Sequence, residues 1–133
     1  MKNFRLQTAT VLMLVATAFT SCSDDDNTPN AVTKSSLVTK VEGATTANIN
    51  VEIPVTVTFS VDNKCGSYNR FIETTAANTK TIEVESKYEG SDCGTTPASK
   101  TAVYKFKSAA VGTYSLKFKK SATEFTTHTI VVN

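Results

Sequence analysis

The chain has 133 residues with 14 basic and 12 acidic side chains, which gives a formal net charge of +2. A chain of this length has room for one folded domain but not for a second hydrophobic core. So small an excess of positive charge argues against a nucleic-acid partner, which normally requires a clustered basic surface.

The first 21 residues have the organisation of a secretory signal. Lys2 and Arg5 supply a positively charged start, and residues 11–19 form an apolar segment. This segment is too short to span a bilayer, which needs ~20 apolar residues. Residues 1–21 are therefore predicted to be a cleaved signal peptide and not a membrane anchor.

The residues Phe19-Thr20-Ser21-Cys22 directly follow the apolar segment. This order resembles the lipobox of bacterial lipoproteins, in which the cysteine thiol receives a diacylglycerol and becomes the first mature residue. The resemblance implies that Cys22 is lipidated and that the protein contacts a membrane through its lipid anchor. One acyl chain gives only marginal membrane binding, whereas several chains make the attachment effectively permanent.

An acidic run, Ser23-Asp24-Asp25-Asp26, follows Cys22. It resembles the export signal of surface lipoproteins from Bacteroidetes, flavobacteria in particular. The resemblance implies that these four residues direct export, so that the protein is anchored in the outer membrane and faces the cell exterior. The polar and acidic composition of the residues after Cys22, with Pro29, predicts a flexible tether. Residues 22–34 would then comprise the lipidated cysteine that the lipobox resemblance implies and this tether.

Lipidation of Cys22 leaves Cys65 and Cys93 as a pair in an exported chain. Because exported proteins commonly form disulfides, we predict that these two cysteines are bonded. Two cysteines without a neighbouring histidine are too few for a zinc site, and the acidic run lacks the Gly and distal Glu of an EF-hand loop. We therefore expect neither a metal ion nor another cofactor.

Residues 35–133 contain short segments in which apolar and polar residues alternate, as in half-buried strands. The strongest alternation runs over residues 49–61, where Pro54 predicts a kink, a bulge or a change of strand partner. No helical period follows the leader. Seven short strands separated by turn residues predict an antiparallel β-sandwich. The predicted segments are 36–41, 49–61, 70–75, 81–88, 103–107, 114–118 and 125–132.

The stretch Ala109-Ala110-Val111-Gly112-Thr113-Tyr114-Ser115-Leu116 resembles the segment that enters the sixth strand of immunoglobulin-like domains. In those domains a tyrosine at the position of Tyr114 forms the tyrosine corner. The resemblance implies an immunoglobulin-like sandwich over residues 35–133, but it implies no function. In that architecture Cys65 and Cys93 emerge at the same end of the sandwich, which is compatible with a disulfide.

No set of residues indicates a catalytic site. His128 is the only histidine, and the order of residues indicates no nucleophile paired with it. Glu83 and Glu85 alternate with Ile82 and Val84, which is typical of the solvent-facing side of a strand. We therefore predict that the protein is not an enzyme and has no catalytic residue.

Two further groups of side chains are candidates for binding. Tyr68 and Tyr88 are expected near the disulfide, where exposed aromatic rings could stack on sugars or anchor a protein; packing in the core is the alternative. The lysines form one basic surface only if the fifth and sixth strands pair as a hairpin, whereas the immunoglobulin-like order places these strands in opposite sheets. These lysines are Lys105, Lys107, Lys117, Lys119 and Lys120.

The resulting functional prediction is a surface-anchored lipoprotein that acts as a non-catalytic binding or structural module. Its partner, a protein or a glycan, is unknown. One alternative is a glycan-binding accessory module that uses Tyr68 or Tyr88. The other is a protease inhibitor that acts through the disulfide-constrained loops.

Overall fold

The computed structural model describes residues 31–133, which form nine β-strands in two sheets and contain no helix. This confirms the predicted all-β sandwich for the described part of the chain. The strands are β1 (Val32–Ser36), β2 (Val38–Gly43), β3 (Thr46–Ala47), β4 (Ile53–Val61), β5 (Gly66–Ala76), β6 (Thr79–Tyr88), β7 (Ala98–Phe106), β8 (Gly112–Lys119) and β9 (Phe125–Val132).

The two sheets differ in size. The larger sheet has the order β5-β6-β8-β9-β3, with β1 pairing along the second half of β6, and the smaller sheet has the order β2-β4-β7. Two pairs, β6–β8 and β3–β9, are parallel, whereas the sequence predicted antiparallel pairing throughout. Because β7 crosses to the smaller sheet between β6 and β8, the chain re-enters the larger sheet in its former direction, which makes β6 and β8 parallel.

The strands beyond the predicted seven lie near the start of the domain. β1 begins at Val32, before the expected boundary at residue 35, because its backbone pairs with β6 from that residue onward. The hydroxyls of Ser36 and Ser86 form a buried hydrogen bond of 2.7 Å where these two strands meet. β3 has only two residues, and its pairing with the end of β9 covers part of that edge of the larger sheet.

Alternate side chains of the strands fill the space between the sheets. On β4 the core residues are Val55, Val57, Phe59 and Val61, and the threonines between them point away from the core. This two-residue period confirms the predicted burial pattern. The remaining buried apolar residues are Val38, Ala47, Ile82, Val84, Tyr104, Phe106, Leu116, Phe118, Ile130 and Val132.

The predicted strand at residues 49–61 begins later than expected, at Ile53. Asn50 has a φ of 62°, a left-handed conformation that breaks the strand, and its backbone N–H donates to the carbonyl of Ser108 at 2.7 Å. Pairing of β4 with β7 continues in register through Pro54, while pairing with β2 begins only at Val55. β4 therefore keeps β7 as its partner through Pro54 and gains β2 as a second partner at the next residue, so neither the predicted bulge nor the predicted change of partner occurs there.

The tyrosine that resembles the immunoglobulin-like corner makes the expected kind of contact. The Tyr114 hydroxyl donates to the carbonyl oxygen of Ala110 at 3.1 Å and accepts a hydrogen bond from the Ser108 hydroxyl at 2.7 Å. Its ring packs against Phe106, with 5.4 Å between the centroids. These contacts fix the connection between β7 and β8, which belong to opposite sheets.

The strand directions define two ends of the sandwich. At one end, which we call the disulfide end, Val32 and Gly66 both lie opposite Tyr88 in the strand register. The turns at residues 62–65 and 89–97 lie at this end, and the turn at 120–124 points in the same direction from β8, whose Phe118 lies opposite Ile82 in the middle of β6. The other end, which we call the far end, contains the connections 44–52, 77–78 and 107–111 and the last residue of the chain.

Candidate functional site

Cys22 and the export residues Ser23-Asp24-Asp25-Asp26 lie outside the described residues. Lipidation and export therefore stay predictions from the sequence. The remaining candidate residues all lie within the sandwich, and the structure gives their surroundings.

Cys65 and Cys93 form the predicted disulfide, with a Cα–Cα distance of 5.1 Å. Cys65 ends the turn that precedes β5, and Cys93 lies in the long connection between β6 and β7. The bond ties this mostly exposed connection to the sheet. It therefore limits the movement of residues 89–97, which otherwise have few contacts with the core.

Tyr88 lies at the disulfide end, as expected, but its hydroxyl is already occupied. The backbone N–H of Asp62 donates to the hydroxyl oxygen at 3.0 Å. The Lys34 ammonium lies 5.2 Å from the ring centroid and 2.8 Å from the Asp62 carboxylate, which raises the pKa of Lys34. Tyr88 therefore connects β1, the turn after β4 and β6, and has a structural role.

Tyr68 is on the inner side of β5, where it packs against other aromatic rings. Its centroid lies 4.9 Å from that of Phe71 and 6.4 Å from that of Phe59. The side chain is 37% exposed, and its partial burial raises the pKa of the phenol. The packing alternative thus applies to both candidate tyrosines, although Tyr68 keeps one exposed edge.

The candidate lysines do not form one surface. β7 and β8 lie in opposite sheets, so Lys105 and Lys117 point away from opposite faces of the sandwich. Lys105 pairs with Glu52 at 3.1 Å, and Lys119 pairs with Glu83 at 3.0 Å. β7 and β8 are therefore placed as the immunoglobulin-like order predicts and do not pair as a hairpin.

The residues considered for acid–base chemistry make structural contacts. His128 Nε2 lies 3.0 Å from the carbonyl oxygen of Ala44, so this nitrogen carries the proton and donates. Arg70 donates to the Glu85 carboxylate at 2.9 Å, and Asn69 donates to the same group at 2.6 Å. The bond from Arg70, followed by that from Asn69, holds the pKa of Glu85 below its usual value.

One charged cluster was missed at the sequence level. Glu73 points inward from β5, where its carboxylate accepts hydrogen bonds from Lys80, from the Tyr104 hydroxyl and from Thr75. Burial opposes ionisation of Glu73, but these three donors outweigh it and lower its pKa. Burial, and then the neighbouring carboxylate, raise the pKa of Tyr104. The Glu73–Tyr104 bond links the two sheets.

A second feature that was missed is a group of exposed aliphatic side chains at the far end. Ile49, Val51 and Val111 are 44%, 47% and 66% exposed, although the first two were predicted to face the core. Hydrogen bonds hold the segments that carry them, since Ile49 N–H donates to the Asn133 carbonyl at 3.1 Å and the neighbouring Asn50 bonds to Ser108. The residue type of Asn50 was the signal in the sequence, because asparagine adopts the left-handed conformation found here more readily than most residues.

No protein-family model, curated protein or solved structure matches the chain. Within residues 31–133, no surface pocket is found, and no three His, Cys, Asp or Glu side chains are grouped to hold a metal ion. The same residues include no helix that is long and apolar enough to cross a membrane.

Proposed function

We propose that the protein is a bacterial surface lipoprotein, anchored through Cys22, whose sandwich acts by non-covalent contact as a binding or structural module. The sequence support is the lipobox-like Phe19-Thr20-Ser21-Cys22 followed immediately by Ser23-Asp24-Asp25-Asp26. The observation that carries the proposal is the Cys65–Cys93 bond. Because Cys65 and Cys93 are bonded to each other, neither requires Cys22 as a disulfide partner. The thiol of Cys22 can therefore be the one that carries the lipid.

The contacts of the polar residues support binding rather than catalysis. Each candidate for acid–base chemistry has a partner that orients a strand or a loop: His128 holds the connection after β2, and Glu85 holds the bulged part of β5. A general base must reach the proton that it abstracts from a substrate. Groups already engaged with backbone and neighbouring side chains are better suited to maintaining the shape of a contact surface.

Lipidation is tested by labelling cells that express the protein with radioactive palmitate. The wild-type chain should incorporate label and fractionate with the outer membrane, and Cys22→Ser should do neither. Ser21→Ala is a matched control, since it keeps a small residue before the cysteine and should be labelled. Outer-membrane fractionation of Cys22→Ser would contradict the anchor.

Surface export is tested separately. Replacing Asp24, Asp25 and Asp26 together with Ala should leave palmitate incorporation intact but protect the domain from protease added to whole cells. The corresponding triple Glu variant keeps the charge and should remain accessible. Equal accessibility of the Ala variant and the wild type would refute the role of the acidic run while leaving the lipid anchor in place.

The two alternative functions have direct tests. Glycan binding through Tyr68 or Tyr88 would have to use rings that already pack or bond within the domain. We therefore expect no binding on a glycan array; a signal that Tyr68→Ala abolishes would support the glycan-binding alternative. A protease inhibitor would have to use the exposed residues of 89–97. We expect a panel of proteases to stay active with the purified domain.

A further inference from the structure

The chain enters the sandwich at the disulfide end. Val32, the first residue of β1, lies opposite Tyr88, and Tyr88 lies opposite Gly66, the residue after Cys65. The connection to Cys22 and the disulfide therefore share one end. The segments that contain Ile49, Val51 and Val111 lie at the other.

Covalent geometry limits how far the disulfide end can be from a lipid on Cys22. The ten residues from Cys22 to Val32 span at most ~36 Å even when fully extended, at up to ~3.6 Å per residue. β5, with 11 residues, runs from the disulfide end to the far end. At ~3.3 Å per residue this strand is ~36 Å long, so the far end can stand a full domain length beyond the attachment point.

The charges at the disulfide end balance one another. Lys34 pairs with Asp62 at 2.8 Å, and two further pairs at 3.1 Å are Lys64–Asp92 and Lys87–Glu89. The turn after β8 adds one charge of each sign, from Lys120 and Glu124. An end whose charges are paired is neither strongly drawn onto nor strongly repelled by anionic headgroups, so the position of the covalent attachment is what keeps this end nearer the lipid on average.

We infer that the sandwich is attached to the membrane by its disulfide end and presents its far end outward. This inference rests on the proposed function, because it requires the anchor at Cys22. The exposed aliphatic side chains of Ile49, Val51 and Val111 then lie at the end of the domain that faces away from the membrane. The residues predicted from the sequence as candidate binding residues, Tyr68 and Tyr88, are instead on the membrane side or within the sandwich.

The test measures the distance of each end from a membrane. Full-length lipidated protein is bound to phosphatidylcholine vesicles that contain a lipid with an energy-transfer acceptor. A donor dye is attached to a single introduced thiol, either Ala122→Cys at the disulfide end or Ala109→Cys at the far end. Both alanines are exposed residues in turns, so they form a matched pair.

We expect clearly more energy transfer from residue 122 than from residue 109, and the same order when anionic lipid is added to the vesicles. Equal transfer, or more transfer from residue 109, would overturn the inference while leaving the anchor intact. The Cys22→Ser form of each labelled protein is the control and should show no transfer. Lipidated protein that fails to bind the vesicles would overturn the proposed function as well.

Discussion

Removal of the Cys65–Cys93 bond should cost a large share of the stability of this domain. The bond joins residues 28 positions apart. In the chain-entropy relation, a loop of this length corresponds to about 12 cal/mol/K, or about 3.6 kcal/mol at 25 °C. Domains of this size have total stabilities of about 5–15 kcal/mol, so the variant should remain folded but be much easier to unfold.

The measurement is urea unfolding of the Cys65→Ser/Cys93→Ser variant in a background in which Cys22 is also Ser. The chain has no tryptophan and four tyrosines, so tyrosine fluorescence and circular dichroism report the transition. We expect the extrapolated free energy of unfolding to fall by about 3–4 kcal/mol. The reduced parent, which keeps both side chains, should match the variant if the cross-link itself is responsible.

Two outcomes would refute this reasoning. A variant within about 1 kcal/mol of the oxidised parent would show that closing the loop contributes little to stability. The second outcome is that the reduced parent is as stable as the oxidised parent while the serine variant is less stable. The loss of stability would then come from side-chain packing and not from the cross-link.

Three further predictions concern single residues. Gly66→Ala should destabilise the domain by about 2–3 kcal/mol in urea unfolding, because the new Cβ would lie 2.5 Å from the Cβ of Val61. Ala77→Gly should stabilise it by about 0.5–1 kcal/mol, since Ala77 has a φ of 50°, which an L-residue adopts at a cost and glycine adopts freely. Glu73→Gln should remove part of the acid sensitivity. The folded pKa of Glu73 is lowered from 4.5, so its contribution is present above that value and is lost as the pH falls through the lower folded pKa.

Each of these predictions has a control. Gly94→Ala adds a Cβ that meets no atom within 4 Å, so any loss there reports its φ of 65° and not a clash. Ala76→Gly, next to the turn but in a regular strand, should destabilise the domain where Ala77→Gly stabilises it. Parallel pH profiles for Glu73→Gln and the wild type as the pH falls below 4.5 would contradict the role given to Glu73.

The alternation of residue types predicted those parts of the fold in which one face of a strand meets the core. Residues 125–132 were predicted with the bounds that β9 has, and the burial of Val55, Val57 and Phe59 follows the predicted period. Tyr114 was identified from its local sequence, because the contact that it makes lies only four residues away. Such features depend on neighbours along the chain.

Some features that depend on topology were predicted, such as the placement of β7 and β8 in opposite sheets, but others were not. Ile49 and Val51 continue the alternation of β4, yet the left-handed conformation of Asn50 turns them out of the core. The contact between Glu73 and Tyr104 joins residues 31 positions apart on opposite sheets, so it follows from where β5 and β7 lie and not from a motif. The parallel pairing of β6 with β8 was also not predicted, because alternation of residue types within a strand does not show which strands are neighbours in a sheet.

The inward direction of Glu73 has a consequence for contacts between neighbouring copies of this protein. Among residues 31–133, β5 pairs only with β6, so it forms an edge of the larger sheet, and most of its residues are exposed. A neighbouring copy that added a strand along this edge would have to cover the Glu73 carboxylate, which is bonded to Lys80. Its strand would also have to match the irregular register of β5 between Tyr68 and Arg70. An inward charge and a bulge both disfavour edge-to-edge association. Adjacent molecules can therefore be packed densely without merging into a continuous sheet.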